Sequence, residues 1–249
     1  MCFELDSLPP IPVIAGASIS HDDLVLEAAD GNELAAFAAH PDEAPKAGVV
    51  ILPDVRGLYR FYEELALRFA ERGYAAVALD YFGRTAGVSK RGDDFEYMEH
   101  VAQTTPAGVQ ADVAAAVAYL RDEHVSTVFT VGFCFGGRNS WLAAASGHGL
   151  AGAVGFYGSL GERNGQPGPI DRAGEIAAPI LALQAGDDQN ITADQNAMFG
   201  AALTAAGVEH EIVTYKGAPH SFFDRKHEEY ADASADAWSK TLAFLERYA

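Results

Sequence analysis

Hydrophobic positions along this chain switch repeatedly between a strand-like and a helix-like period. Gly48–Leu52 (GVVIL) is an unbroken β-branched run closed by Pro53, the pattern of a strand buried on both faces. From Tyr62 to Arg72 apolar residues recur at helical spacing until Gly73 stops them. Tyr74–Leu79 (YAAVAL) reads as the next strand, and the polar stretch from Asp80 to Pro106, rich in Gly, Arg and Asp, as a long loop. Ala107–Glu123 sets Val109, Val113, Val117 and Leu120 on one stripe of a helix. The alternation continues with strand Thr127–Val131, helix Gly136–Ser146 and strand Ala151–Phe156, then a loop through Pro169. Strand Pro179–Gln184, helix Asp194–Ala206, strand Glu209–Tyr215 and helix Tyr230–Tyr248 complete it. Upstream, Leu24–Ala29 and Glu33–His40 flank Asp30-Gly31-Asn32, a hairpin signal. Residues 1–20, with Pro9, Pro10 and Pro12, read as an irregular lead-in. The expectation is one α/β domain over 1–249. It has a mostly parallel sheet of about eight strands, helices on both faces and an antiparallel hairpin at the N-terminal edge.

Composition narrows the partners. The 249 residues are 49% apolar, enough for a sizeable core, so wholesale disorder is excluded. Seventeen basic against 35 acidic residues leave a formal charge of −18. Such a surface repels phosphate backbones and anionic lipid, so neither nucleic acid nor a membrane is an expected partner. It also repels anionic substrates at long range, so a site for an anion needs local arginines. No apolar run approaches the ~18 residues of a membrane helix. Residues 1–12 carry neither a basic n-region nor an apolar h-region. Cys2 and Cys134 make no disulfide framework and are not expected to pair, which points to the cytoplasm. No H-E-x-x-H or clustered Cys/His spacing suggests a metal, and no organic cofactor is expected. With no extra interaction segment visible, a monomer is the default.

The chemistry gathers at Val131-Gly132-Phe133-Cys134-Phe135-Gly136-Gly137, between a strand and a helix. G-x-C-x-G-G is the cysteine version of the nucleophile elbow G-x-S-x-G. The central residue is pinned in a strained turn, and Gly132 and Gly136 flank it because a Cβ at either would strike neighbouring backbone. The helix that follows presents its N-terminus to the sulfur, favouring thiolate, and the N–H of Phe135 is placed to donate to an oxyanion. Two blander readings compete: a dinucleotide loop, which would need glycine at 134, and a buried structural cysteine in a tight turn.

A nucleophile needs a base, and the base an orienting acid, in the chain order nucleophile, acid, histidine. Of the histidines after Cys134, His220 lies in GAPHSF, between the last strand and the terminal helix. Loops at the carboxyl ends of strands are where open α/β sheets build sites. His210 opens a strand, and His148 and His227 read as loop or helix-edge residues. The acid should follow strand Pro179–Gln184, where Asp187 and Asp188 both stand; the run Asp188-Gln189-Asn190-Ile191-Thr192 favours Asp188.

On GFCFGG, DQNIT, GAPHSFF and the segments PDVRGL and LDYFGR, the chain resembles the dienelactone hydrolase (carboxymethylenebutenolidase-like) family of α/β-hydrolases from about Gly48 to the end. The resemblance implies a Cys134-His220-Asp188 triad and an oxyanion hole from the N–H groups of Phe135 and Val55. It also implies two arginines gripping a substrate carboxylate, carried over to Arg84 and Arg225. The family's glutamate beside the resting thiol is replaced by Asp54, one methylene shorter. The expected activity is hydrolysis of a small ester or lactone through a thioester. A broad carboxylesterase on the same fold is the first alternative, to be decided by the loops at 83–105 and 158–172. A catalytically silent binding protein is the second.

Overall fold

Nine residue pairs, from Ile19↔Pro41 to Glu27↔Glu33, join β1 (Ile19–Glu27) and β2 (Glu33–Pro41) into an antiparallel hairpin. The computed structural model describes residues 3–249, so Cys2 lies outside the described residues. β1 begins five residues before the apolar run that marks it in the sequence. Its middle, Ser20–Asp23, is exposed, so ladder hydrogen bonds rather than an apolar face make it a strand.

The remaining elements are β3 (Gly48–Leu52), α1 (Arg60–Ala70), β4 (Ala75–Leu79), α2 (Gly83–Ala86), α3 (Tyr97–Val101), α4 (Pro106–Asp122), β5 (Val128–Phe133), α5 (Phe135–Ala144), β6 (Gly152–Phe156), β7 (Ile180–Ala185), α6 (Ala193–Ala205), β8 (His210–Tyr215) and α7 (Ala231–Tyr248). The stretch 80–106, read as loop, therefore carries two short helices. Buried Arg91 organises it, pairing with Asp80 at 2.8 Å and donating to the Gly87 carbonyl at 2.7 Å. The rings of Phe82, Phe95 and His100 also meet there, with Phe95 under the Arg91 guanidinium, so an ion pair and a small aromatic cluster hold a segment without periodic pattern.

The sheet order is β1-β2-β4-β3-β5-β6-β7-β8, with β3 to β8 parallel and β2 antiparallel to β4. All five residues of β3 are buried, and they alternate between two cores. Val49 and Ile51 pack with Phe61, Leu65 and Phe69 of α1, while Val50 and Leu52 pack with Val113, Val117 and Leu120 of α4. Burial on both faces is the reason the strand pattern is continuous rather than alternating. From β3 the chain moves to β4 on one side and later to β5 on the other. The carboxyl ends of β3 and β5 thus flank a topological switch point, where ligands of open α/β sheets bind. Among the described residues, no helix is long and apolar enough to cross a membrane.

Candidate active site

The turn from β5 into α5 is built by backbone contact. Cys134 takes φ 54°, an unusual value for a side-chain-bearing residue, and caps α5. A Cβ on Gly132 would stand closer than 3.0 Å to the Gly136 carbonyl, and one on Gly136 equally close to the carbonyls of Leu52 and Pro53. The helix therefore rests directly on the end of β3. That approach brings Val55, just beyond β3, and Phe135, the first residue of α5, to one cavity of about 190 Å³. Neither residue's N–H has an acceptor among the described residues. Tyr81 steadies the same corner: its hydroxyl donates to the Pro53 carbonyl at 3.0 Å and its ring meets Phe135 edge-on at 5.1 Å.

Cys134 and His220 line this cavity, and they are hydrogen-bonded to each other. The other ring nitrogen of His220, Nδ1, lies 2.5 Å from Oδ2 of Asp188, whose side chain is 1% exposed. Asp188 also accepts from the Asn190 N–H at 2.9 Å, so the carboxylate is fixed at both oxygens. Burial alone would strip His220 of its proton, but the hydrogen bonds to Asp188 and Cys134 and their charges overcome it and lift the imidazole to about 9. Burial pushes the Asp188 carboxyl up, but hydrogen bonds from His220 and the Asn190 N–H outweigh it and hold the group below its ordinary value. Asp187 is exposed and only its backbone N–H is engaged, on the Ala218 carbonyl.

The structure brings Cys134, Asp188, His220, Val55 and Phe135 together at the ends of four different parallel strands. It does not bring the expected carboxylate grip to them. Arg84 lies outside the cavity, its guanidinium held by Asp30 at 2.8 Å and by fully buried Asp112 at 2.7 Å. Arg225 likewise does not line it, and donates to the Ile11 carbonyl at 3.1 Å, holding down the N-terminal segment. Asp54 is buried and does not line the cavity. Its carboxylate accepts from the Arg56 guanidinium at 3.2 Å, the Arg56 N–H at 2.9 Å and the Tyr59 hydroxyl at 3.1 Å. Burial opposes the charge on Arg56, but Asp54 beside it raises the guanidinium above its ordinary value.

Sequence reasoning passed over Arg56, Tyr157, Ser159 and Arg163. Tyr157 follows β6 with φ 37°, and its ring centroid stands 4.9 Å from that of His220. Ser159, Arg163, Asn190 and Ile191 complete the wall. The available signal was positional: Tyr157 to Arg163 follow the strand that neighbours the elbow strand. Among the described residues no group of three or more His, Cys, Asp or Glu side chains is arranged to hold a metal ion.

The chain is similar to known proteins over most of its length. A profile of the dienelactone hydrolase family matches residues 34–249. An Escherichia coli (strain K12) protein named "Putative carboxymethylenebutenolidase" is 31% identical over 227 residues, covering 88% of this chain and 84% of its own. A Yersinia pestis protein of the same name is 30% identical over 227 residues, covering 88% and 85%. The solved structure titled "Putative Dienelactone Hydrolase", from Klebsiella pneumoniae subsp. pneumoniae MGH 78578, superposes with a TM-score of 0.81 at 28% identity, covering 93% of this chain and 100% of that one.

Proposed function

The chain belongs to the dienelactone hydrolase family, and from that premise we propose that it hydrolyses a small ester or lactone through a thioester on Cys134. One observation carries the reading: His220 is hydrogen-bonded to Cys134 on one side and to buried Asp188 on the other. This is the arrangement that activates a nucleophile and orients its base.

His220, lifted to about 9, already holds the thiol proton at neutral pH, and the Cys134 thiolate attacks the acyl carbon. The N–H groups of Val55 and Phe135 receive the oxyanion, each donor worth about 3–4 kcal/mol where such donors have been removed. Collapse breaks the acyl C–O bond, and the leaving oxygen takes the proton from His220. In a lactone that oxygen stays tethered to the acyl chain. Water, deprotonated by His220, then attacks the thioester; collapse frees the acid and returns the thiolate beside the imidazolium. Asp188 holds the imidazole in one tautomer and supports its positive charge. A broader carboxylesterase is favoured as a second reading by one observation, that Arg84 and Arg225 are engaged outside the cavity.

Acid-quenching the enzyme during turnover of p-nitrophenyl acetate, followed by peptide mass spectrometry, tests the step directly. The acyl group is expected on the peptide carrying Cys134, and Cys134→Ala is expected to lose both adduct and turnover while keeping its fold. Wild-type turnover in Cys134→Ala, or an acyl group on another residue, overturns the assignment.

A further inference from the structure

A cavity in a protein of charge −18 collects an anion only if it carries a cation of its own. Arg84 is neutralised by two carboxylates and Arg225 does not line the cavity, so neither supplies it. One arginine does line the cavity with Cys134, Phe135 and His220, and it is Arg163. Among the described residues its guanidinium has no ion-pair partner within 4.0 Å.

Arg163 is exposed, and its backbone is held in a tight turn. Its N–H and carbonyl both bond across a two-residue turn to Gln166, at 3.0 and 2.9 Å, with Asn164 at φ 52° and Gly165 at φ 73°. Asn-Gly is the pair that suits a turn with two left-handed residues. Beneath it lies Arg138 of α5, 7% exposed. Arg138 has no carboxylate partner among the described residues. Its guanidinium instead donates to the carbonyls of Ser159, Gly161, Gln166 and Pro167, the last at 2.9 Å. The nucleophile helix thus clamps the loop that carries Arg163. A second cleft of about 380 Å³, which shares His220 and Asn190 with the cavity, has four carboxylates in its lining, Glu4, Asp187, Asp188 and Asp224, beside His227.

The geometry points to Arg163 as the specificity-determining cation of this site, reading a carboxylate on the substrate and orienting it away from the acidic cleft. Arg138 is the positioning residue that holds the loop. The assignment rests on the ester-hydrolase reading for its substrate, but not for its test. A planar fork matched to a carboxylate is the feature that separates arginine from lysine in such a role.

Two pairs of probes each contrast an anionic reagent with a neutral one, so that the change of their rate ratio between wild type and variant cancels intrinsic reactivity. Iodoacetate and iodoacetamide alkylate Cys134, read by peptide mass spectrometry. Mono-p-nitrophenyl succinate and p-nitrophenyl acetate report turnover. In Arg163→Gln the anionic-to-neutral ratio of rates is expected to fall roughly ten- to a hundredfold in both pairs, the loss of one charge-assisted hydrogen bond. Arg163→Lys is expected to recover part of it. A ratio within about twofold of wild type in both pairs overturns the assignment, because a charge-reading residue must discriminate charge. If neither ester is turned over but the alkylation ratio collapses, the hydrolase reading falls and Arg163 stands. If esters are turned over and both ratios hold, the reverse is true.

Discussion

Adding one methyl group at Gly136 is the sharpest test of how this site is held. A Cβ there would approach the carbonyl oxygens of Leu52 and Pro53 to less than 3.0 Å, against ordinary contacts of ~3.5 Å. Both obstacles are backbone, so no rotamer change relieves them. The end of β3 and the start of α5 must part by roughly 1 Å, inside a core where overpacking costs about 1–3 kcal/mol. Gly136→Ala is therefore expected to lose about 3 kcal/mol. For a chain of this size each kcal/mol lowers Tm by about 2–4 °C, so the melting point should drop by about 6–12 °C. Chemistry suffers separately. Val55 lies two residues beyond Pro53, so the same displacement moves one of the two proposed oxyanion donors relative to the sulfur. Misplacement of that size costs roughly a hundredfold in rate. The assay is thermal or urea unfolding together with kcat on p-nitrophenyl acetate, measured well below the variant's Tm. Gly174→Ala is the control: a Cβ there meets nothing within 4 Å, and the change should alter stability by less than about 1 kcal/mol. A Gly136→Ala protein that melts with the wild type and keeps its kcat would refute the idea that close contact of α5 with β3 sets the donor geometry.

Other perturbations separate the remaining roles. Asp188→Asn should lower kcat roughly a thousandfold or more, whereas Asp187→Asn, at an exposed carboxylate, should change it by no more than a few-fold; the opposite ranking moves the acid to Asp187. Arg84→Ala strands the buried Asp112 carboxylate and should cost about 3 kcal/mol of stability, with anionic and neutral esters slowed alike. A selective loss on the anionic ester at unchanged Tm would instead put Arg84 in the substrate site. His220 is lifted to about 9, above the ~6.5 of a free imidazole. Its contribution to stability is therefore complete below about pH 6.5 and is lost as the pH rises through about 9. Urea midpoints should fall more steeply across that window in the wild type than in His220→Gln, and parallel curves would remove the linkage.

The elbow was legible because its requirements are local. Gly132, Cys134 and Gly136 must alternate within five residues for a strand to turn into a helix around a projecting side chain, and that leaves a written motif. His220 and Asp188 were legible because strand ends can be read from apolar runs, and each residue follows a different run. The continuous burial of β3 and the one-sided stripe of α4 were equally visible, since period follows from which faces are covered. By contrast, α2 and α3 were missed because a buried Arg91–Asp80 pair and scattered aromatic contacts of Phe82, Phe95 and His100, rather than a periodic apolar stripe, hold that segment.

Charge partnership is the part that only the tertiary structure decided. Arg84 and Arg163 look alike in the sequence, each an arginine in a polar loop beside glycine or asparagine. Folding places Arg84 against Asp30 from the hairpin turn and Asp112 from α4, 54 and 28 residues away, and leaves Arg163 at the cavity wall. Asp54 is likewise tied to Arg56 and Tyr59 and stays out of the cavity lining. Covalent neighbours and hydrophobic period are encoded along the chain, so element type and the elbow could be read there. Which carboxylate neutralises which guanidinium depends on distances that the chain acquires only when the sheet is assembled.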